Sequence, residues 1–265
     1  MAKVLLARPL PEAVVTRAQA LFDVTVRAET TPLSGTEMRA ALADYDAVMP
    51  TLGDLFRAEV FADVPGARCK LLANFGVGFN HIDAAAAVAA GIAVTNTPGA
   101  VTDATADIAM TLMLISARRA SEGERMVRAG AWEGWHPTQM LGLHLSGKTV
   151  GIIGMGRIGQ AIARRCHFGF GMEVLYFNRS QKTMTFPARQ VAGLTELAAL
   201  VDVLVVATPG GAQTHHLVGA EVLAAMRPHG RVINIARGDV VDEAALIAAL
   251  EAGQIGGAGL DVYEF

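Results

Sequence analysis

One six-residue turn decides the fold of the second half of this chain: Gly154-Met155-Gly156-Arg157-Ile158-Gly159. It has the pattern G-x-G-x-x-G and lies between a strand-like run, residues 148–153, and a helix-like run, residues 160–165. The first glycine permits a tight turn, the second lets a pyrophosphate approach the backbone, and the third lets helix and strand pack closely. We therefore predict a dinucleotide-binding unit in which all six residues contact the cofactor. An incidental glycine-rich turn is the alternative.

Short apolar runs and alanine-rich helical stretches alternate along the whole chain, which predicts a parallel α/β architecture. Residues 1–97 can form one compact unit, and the spacing of Ser34-Gly35-Thr36-Glu37 predicts a capping box that starts a helix. Pro98-Gly99 interrupts the pattern, a long apolar helix is predicted from Thr102 to Arg125, and the alternation resumes at Thr149. The predicted fold class is α/β with two doubly wound parallel-sheet domains, and a cleft between them is the expected site.

The composition narrows the classes of function. Of the 265 residues, 52% are hydrophobic and 18% are charged, which suits a packed core and argues against extended disorder. The net charge is −3 and no basic run with interleaved aromatics occurs, so we expect no nucleic-acid partner. No apolar stretch approaches membrane-spanning length, so we expect no membrane partner. Two cysteines, Cys69 and Cys166, are too few for a disulfide framework or a metal site, so we expect no metal and a cytoplasmic location.

The end of the strand-like run at Val174–Phe177 bears on the type of dinucleotide. NAD-type sites usually place an acidic residue here, which binds the ribose 2′-hydroxyl and would repel a 2′-phosphate. This chain has Asn178, Arg179 and Ser180 instead. Arginine can bind a phosphate with two parallel N–H bonds, and serine adds a hydroxyl donor. We predict that all three residues contact NADP(H). The alternative is that Arg179 only stacks on the adenine or is solvated, so NAD(H) stays possible.

Three further segments stand at or just after predicted strand ends, where open α/β sheets bind ligands. They are residues 73–83, 207–214 and 234–243. With them the chain resembles the D-isomer-specific 2-hydroxyacid dehydrogenases over essentially its whole length. The segments that carry this resemblance occur in family order and with family-like spacing: the Val77-Gly78 turn, the glycine-rich turn, Ala236-Arg237-Gly238 and Gly259-Leu260-Asp261-Val262-Tyr263. Within the family, Asn178-Arg179-Ser180 and residues 132–139 are most similar to glyoxylate/hydroxypyruvate reductases.

The resemblance implies a division of the chain into two domains of known kind. Residues 1–98 would form a flavodoxin-like substrate-binding domain, completed by a C-terminal segment that this sequence does not contain. Residues 99–265 would form a Rossmann coenzyme domain. The resemblance also implies a homodimer built around the coenzyme domain, including the long helix near residues 102–125. For this helix, an intramolecular core position is an equally weighted alternative.

The resemblance further implies NADPH-dependent reduction of a small 2-oxo acid, glyoxylate or hydroxypyruvate, to the 2-hydroxy acid. Arg237 is then the expected catalytic residue, because its guanidinium can bind the carboxylate and carbonyl oxygen of the substrate and stabilise charge on them. Backbone N–H groups of Val77 and Gly78 would bind the other side of the carboxylate, and Leu52 would line the same pocket. The remaining expected cofactor contacts come from the long helix and the strand ends: Thr105, Thr208, Pro209, Thr214, Ile235, Ala236 and Asp261.

The family's proton donor is a histidine oriented by a glutamate, and by family spacing both would follow Phe265, outside this sequence. Glu264 comes too early in the pattern for that role. The seven histidines of the chain lie away from the family position: His81, His136, His144, His167, His215, His216 and His229. His81 is close in sequence to the Val77-Gly78 turn, but a local hydrogen-bonding role is favoured for it.

Three other interpretations remain open from the sequence. The chain could be an NAD-linked dehydrogenase for another D-2-hydroxy acid. It could be a dinucleotide-sensing binding protein that reuses the same fold. It could also be a degenerate fragment without a function of its own.

Overall fold

The computed structural model describes residues 1–264. The chain divides into two compact units, Met1–Val101 and Thr102–Phe265. Each unit contains one parallel sheet with helices, which confirms the prediction of two parallel-sheet α/β domains. No helix formed by the described residues is long and apolar enough to cross a membrane. The cytoplasmic location stays a prediction.

The first unit is built on a five-stranded sheet in the order β2-β1-β3-β4-β5, which is the flavodoxin-like order. Its strands are β1 Lys3–Leu6, β2 Asp23–Val26, β3 Ala47–Met49, β4 Leu71–Ala73 and β5 Ala93–Thr95. Its helices are α1 Glu12–Gln19, α2 Gly35–Asp44, α3 Ala58–Ala62 and α4 Ala84–Ala89. The predicted capping box is present, because Ser34 and Glu37 each accept a hydrogen bond from the backbone N–H of the other. The short helix α3 was not predicted.

The second unit is built on a six-stranded sheet in the order β11-β10-β9-β6-β7-β8. Its strands are β6 Thr149–Ile153, β7 Glu173–Phe177, β8 Arg189–Gln190, β9 Val203–Val206, β10 Arg231–Asn234 and β11 Gly257–Leu260. Its helices are α5 Thr102–Arg118, α6 Ala120–Arg128, α7 Arg157–Phe170, α8 Leu194–Leu200, α9 Ala220–Ala225 and α10 Glu243–Glu251, with a 3₁₀ turn at Gly238–Val240. This strand order is that of the Rossmann fold. The order reverses between β6 and β9, and ligands of open α/β sheets bind at such a reversal.

Both faces of the second sheet are covered, as a doubly wound fold requires. Side chains alternate between the two faces along a strand, so successive residues of β9 enter different cores. Val203 and Val205 pack with Met113 of α5, whereas Leu204 and Val206 pack with Leu197 of α8. This burial on both sides explains why the strands of this unit are continuous apolar runs rather than alternating ones.

The long helix predicted from Thr102 to Arg125 is wrong as a single helix. The structure divides it into α5 and α6 at Arg119, whose backbone is left-handed with φ 55°. The physical reason lies downstream, since Leu143 N–H donates to Ala117 O at 2.8 Å and takes an acceptor that a continuing helix would use. Gly142 passes so close to Ala117 that a side chain there would collide with the helix backbone. The partner segment is distant in sequence, so helical periodicity could not reveal this break.

Candidate active site

The glycine-rich turn lies at the reversal point of the second sheet. Gly154 has φ +95°, a conformation that side chains rarely adopt, and a Cβ there would lie 2.7 Å from Ala207 O. The turn after β6 therefore contacts the end of β9 directly. Gly154 N–H also donates to Phe177 O at 2.9 Å, so the end of β7 is attached to the same turn.

The start of α7 leaves room and hydrogen-bond donors for a phosphate. A Cβ on Gly159 would collide with Gly154 O, which explains the need for glycine where helix and strand pack. A Cβ on Gly156 would instead meet no atom within 4 Å, so open space lies above the helix N-terminus. No side chain caps this helix, so its first N–H groups, which include those of Arg157 and Ile158, can bind an anion. The site fits a dinucleotide pyrophosphate.

Asn178, which follows β7, stabilises the glycine-rich turn by a hydrogen bond. Its Oδ1 accepts from Met155 N–H at 3.1 Å, and its Nδ2 donates to Ser180 O at 2.7 Å. Gln190 Nε2 donates to Asn178 O at 2.7 Å and adds a residue that the sequence did not identify. The Asn178 carboxamide is thus used inside the protein, whereas the side chains of Arg179 and Ser180 are exposed beside it.

The loop that follows β9 carries three predicted cofactor residues. Thr208 is half-buried and Pro209 is exposed. Thr214 Oγ1 donates to Pro209 O at 2.8 Å, so this hydroxyl closes the loop on itself. A Cβ on Gly210 would lie 2.7 Å from Arg237 Cγ, which places the loop directly against the side chain of Arg237.

Arg237 follows β10 and is half-buried. Its Nη1 donates to Ala236 O at 2.6 Å, and the structure pairs its guanidinium with no carboxylate among residues 1–264. The backbone around it is fixed by Asn234, which is 1% exposed. Asn234 Nδ2 donates to Arg237 O at 2.9 Å, and Asn234 Oδ1 accepts from Ala236 N–H at 3.0 Å. A positioned cation without an internal counter-ion is suited to bind an anionic ligand.

Three more of the predicted cofactor residues gather around Asn234, and one does not. Ile235 and Ala236 have buried side chains, so a ligand can reach them mainly through their backbone. Asp261 is exposed, and its N–H donates to Asn234 O at 3.0 Å. Thr105 is half-buried on α5 and shares no hydrogen bond with this group.

The chain beyond β11 packs beside the segment that carries Arg237. Gly238 contacts the backbone of Tyr263 and Glu264 so closely that a side chain could not fit between them. His216 Nε2–H donates to Glu264 Oε1 at 2.8 Å. This hydrogen bond, with the added charge of Glu264, raises the pKa of His216. Glu264 is thus engaged by His216 near the end of the described chain.

The first unit holds Leu52, Val77 and Gly78 on two adjoining loops. Phe75 N–H donates to Pro50 O at 2.9 Å and thereby links the loop after β3 to the turn after β4. Leu52 is 57% exposed, as an apolar side chain that lines an open pocket would be. The N–H groups of Val77 and Gly78 have no acceptor among the residues that the structure describes.

Comparison with known proteins identifies the family. The model of the D-isomer specific 2-hydroxyacid dehydrogenase NAD binding domain matches residues 110–265. A glyoxylate reductase of Thermococcus gammatolerans is 41% identical over 268 residues, which cover 99% of this chain and 79% of the relative. The chain belongs to this family.

Two other similar members of the family have different names. A glycerate dehydrogenase of Hyphomicrobium methylovorum is 38% identical over 265 residues, covering 98% of this chain and 82% of the relative. The NADPH-dependent glyoxylate/hydroxypyruvate reductase of Sinorhizobium meliloti, solved with NADP and malonate, superposes with a TM-score of 0.86 at 36% identity. That match covers 100% of this chain and 80% of the other.

Family membership confirms that this chain is an oxidoreductase of the 2-hydroxyacid dehydrogenase type with a nicotinamide dinucleotide cofactor and a small acid as substrate. It favours the enzyme over the alternative of a dinucleotide-sensing binding protein. The roles of the individual site residues stay predictions.

Proposed function

We propose that this dehydrogenase reduces glyoxylate or hydroxypyruvate to the corresponding 2-hydroxy acid with NADPH. The observation that carries the proposal is the Arg237 guanidinium, held at the end of β10 without a carboxylate partner among residues 1–264. The names of the Thermococcus and Sinorhizobium relatives support the choice of substrate. The absence of an acidic residue at Asn178 and the neighbouring Arg179 support the choice of cofactor.

Each part of the site has one task in this reaction. A bound nicotinamide dinucleotide supplies the hydride. The N–H groups of Arg157 and Ile158 at the start of α7 bind its pyrophosphate, where the helix dipole also favours negative charge. Arg237 binds the carboxylate and carbonyl oxygen of the 2-oxo acid and stabilises the negative charge that develops on that oxygen. A proton from a general acid then neutralises this charge and completes the 2-hydroxy acid. The amides of Val77 and Gly78 also bind the carboxylate.

Assays of the wild-type protein test the substrate, and replacing Arg179 by alanine tests the cofactor. We expect the wild-type protein to oxidise NADPH with glyoxylate and with hydroxypyruvate. In Arg179→Ala the KM for NADPH should rise by about tenfold or more, because a charge-assisted hydrogen bond to phosphate contributes ~1.5–3 kcal/mol. The KM for NADH, which has no 2′-phosphate, should stay unchanged. Absorbance of the reduced nicotinamide measures both.

The control for this experiment is Arg189→Ala, which removes an exposed arginine of β8, the strand that pairs with β7, which Arg179 follows. It should leave the KM for NADPH unchanged. Equal weakening of NADPH and NADH in Arg179→Ala would contradict a role in binding the 2′-phosphate. A wild-type protein that uses only NADH would favour the NAD-linked alternative.

We further infer a homodimer that buries an apolar surface on α5 and α7. Four side chains of these helices are both large and exposed: Ile108, Leu114, Ile115 and Phe168. Arg165 of α7 pairs with Asp103 at 3.0 Å and with Asp107 at 2.9 Å, which places α5 and α7 side by side. Large exposed apolar side chains on two adjacent helices are typical of a subunit interface, and a second copy of the chain is the partner that the family resemblance implies.

Replacing Phe168 by glutamate should convert this dimer to a monomer, because it would bury an unpaired charge in the interface. Sedimentation velocity of the full-length protein measures the change. Phe22→Glu, which alters an exposed phenylalanine of the first unit, is the matched control and should remain dimeric. A wild-type monomer, or a Phe168→Glu variant that stays dimeric, would refute this interface.

A further inference from the structure

Asparagine side chains hold all three carbonyl oxygens of the turn Gly76–Gly78. Asn74 Nδ2 donates to Gly76 O at 3.1 Å and to Gly78 O at 3.0 Å. Asn96 Nδ2 donates to the intervening Val77 O at 2.8 Å. Asn74 directly follows β4 and Asn96 directly follows β5, and these strands are neighbours in the sheet. Two carboxamides that follow neighbouring strands of the sheet thus hold the turn in place.

The hydrogen bonds to these oxygens fix the direction of three N–H groups. In a planar trans peptide unit the C=O and the following N–H point in opposite directions. The oxygens of Gly76, Val77 and Gly78 therefore determine where the N–H groups of Val77, Gly78 and Phe79 point, each away from the asparagine that holds its peptide unit. None of these three N–H groups has an acceptor within residues 1–264. Successive oriented amides of this kind bind anions.

The turn cannot easily keep this arrangement without its two asparagines. Gly76 has φ +151°, a backbone conformation that residues with a side chain rarely adopt. The Asn74 side chain is 2% exposed, so no water replaces its amide group without rearrangement. Loss of the Asn96 donor leaves Val77 O without a partner, and loss of the Asn74 donor leaves Gly78 O without one, so these peptide units can rotate. Gly76 O keeps the Thr97 N–H as a donor at 3.1 Å.

We propose that Asn74 and Asn96 are positioning residues that orient the amides of Val77, Gly78 and Phe79 toward the substrate carboxylate. The inference rests on the proposed function, in which the Val77 and Gly78 amides bind that carboxylate, and it adds Phe79 N–H as a third donor. Neither asparagine touches the substrate, because each acts through the backbone oxygen that it holds.

The test measures binding of oxamate, a stable isostere of a small 2-oxo acid, to the full-length protein saturated with NADPH. Asn96→Ala and Asn74→Ser should each raise the Kd for oxamate on the order of tenfold, as expected for one or two lost hydrogen bonds. The Kd for NADPH should not change, since the dinucleotide site lies in the second unit. Thr97→Ala is the control, because the Thr97 backbone N–H still donates to Gly76 O in that variant.

Amide ¹⁵N spectra of the wild-type protein separate failure of this inference from failure of the proposed function. We expect oxamate to shift the signals of Val77, Gly78 and Phe79. If they shift but folded Asn96→Ala binds oxamate as tightly as wild type, the positioning role is refuted while the carboxylate site stands. If oxamate binds and none of the three signals shifts, both are refuted. Asn96 is half-buried, so Asn96→Ala decides the question even if Asn74→Ser does not fold.

Discussion

Replacing Arg237 by alanine is expected to lower kcat/KM for glyoxylate by about 10²–10³-fold, the loss usually seen when one preorganised donor to a developing oxyanion is removed. The guanidinium contributes both a full charge and a planar pair of donors, and the variant has neither. The variant should nevertheless fold. Asn234 fixes the surrounding backbone, and the side chain itself gives up only a hydrogen bond to Ala236 O.

Three further measurements on the full-length protein test whether the loss of activity is due to the missing guanidinium of Arg237. Arg237→Lys retains the charge but loses the bidentate geometry, so its kcat/KM should lie between those of wild type and Arg237→Ala. The Kd for NADPH should stay within about twofold of wild type, because the phosphate donors belong to α7. Arg128→Ala removes an exposed arginine paired with Glu124 and serves as the control. An Arg237→Ala enzyme with near-normal kcat/KM would refute the proposed role.

The glycine-rich turn was predictable because its determinants are local. Gly154 needs a positive φ, Gly159 needs contact with the turn backbone, and both requirements act within a few residues of sequence. The same is true of the capping box at the start of α2, where Ser34 and Glu37 are only three residues apart. Local patterns of this kind determine the order of strands and helices along the chain, and this order determines the fold class.

The side chains that support the site could not be predicted in the same way. Asn178 stands at the strand end where NAD-type sites usually have an acidic residue, yet its Oδ1 accepts from Met155 N–H, 23 residues earlier in the chain. Asn96 reaches Val77 O across 19 residues. In both cases the partner is a backbone group, which leaves no trace in the residue type at the partner position. Such contacts follow only from the register of neighbouring strands.

Asp54 is a buried carboxylate of the first unit, and its loss should strongly lower the free energy of unfolding. It is 0% exposed and accepts from Arg8 Nη2 at 2.9 Å, Leu33 N–H at 2.8 Å and Thr51 N–H at 2.7 Å. It thereby ties the chain after β1 to the loop that carries Leu52. Asp54→Ala leaves a largely buried guanidinium and two N–H groups without partners.

The expected cost of Asp54→Ala is ~3–5 kcal/mol in the free energy of unfolding, the range found when one partner of a buried ion pair is removed. Asp63→Ala is the matched control. Its carboxylate pairs with Arg39 at 2.8 Å, but both side chains are substantially exposed, so the loss should stay below about 1 kcal/mol. Urea unfolding followed by circular dichroism measures both variants. Similar losses in the two would mean that Asp54 contributes no more than a surface charge, and that the Leu52 loop is held in place by packing alone.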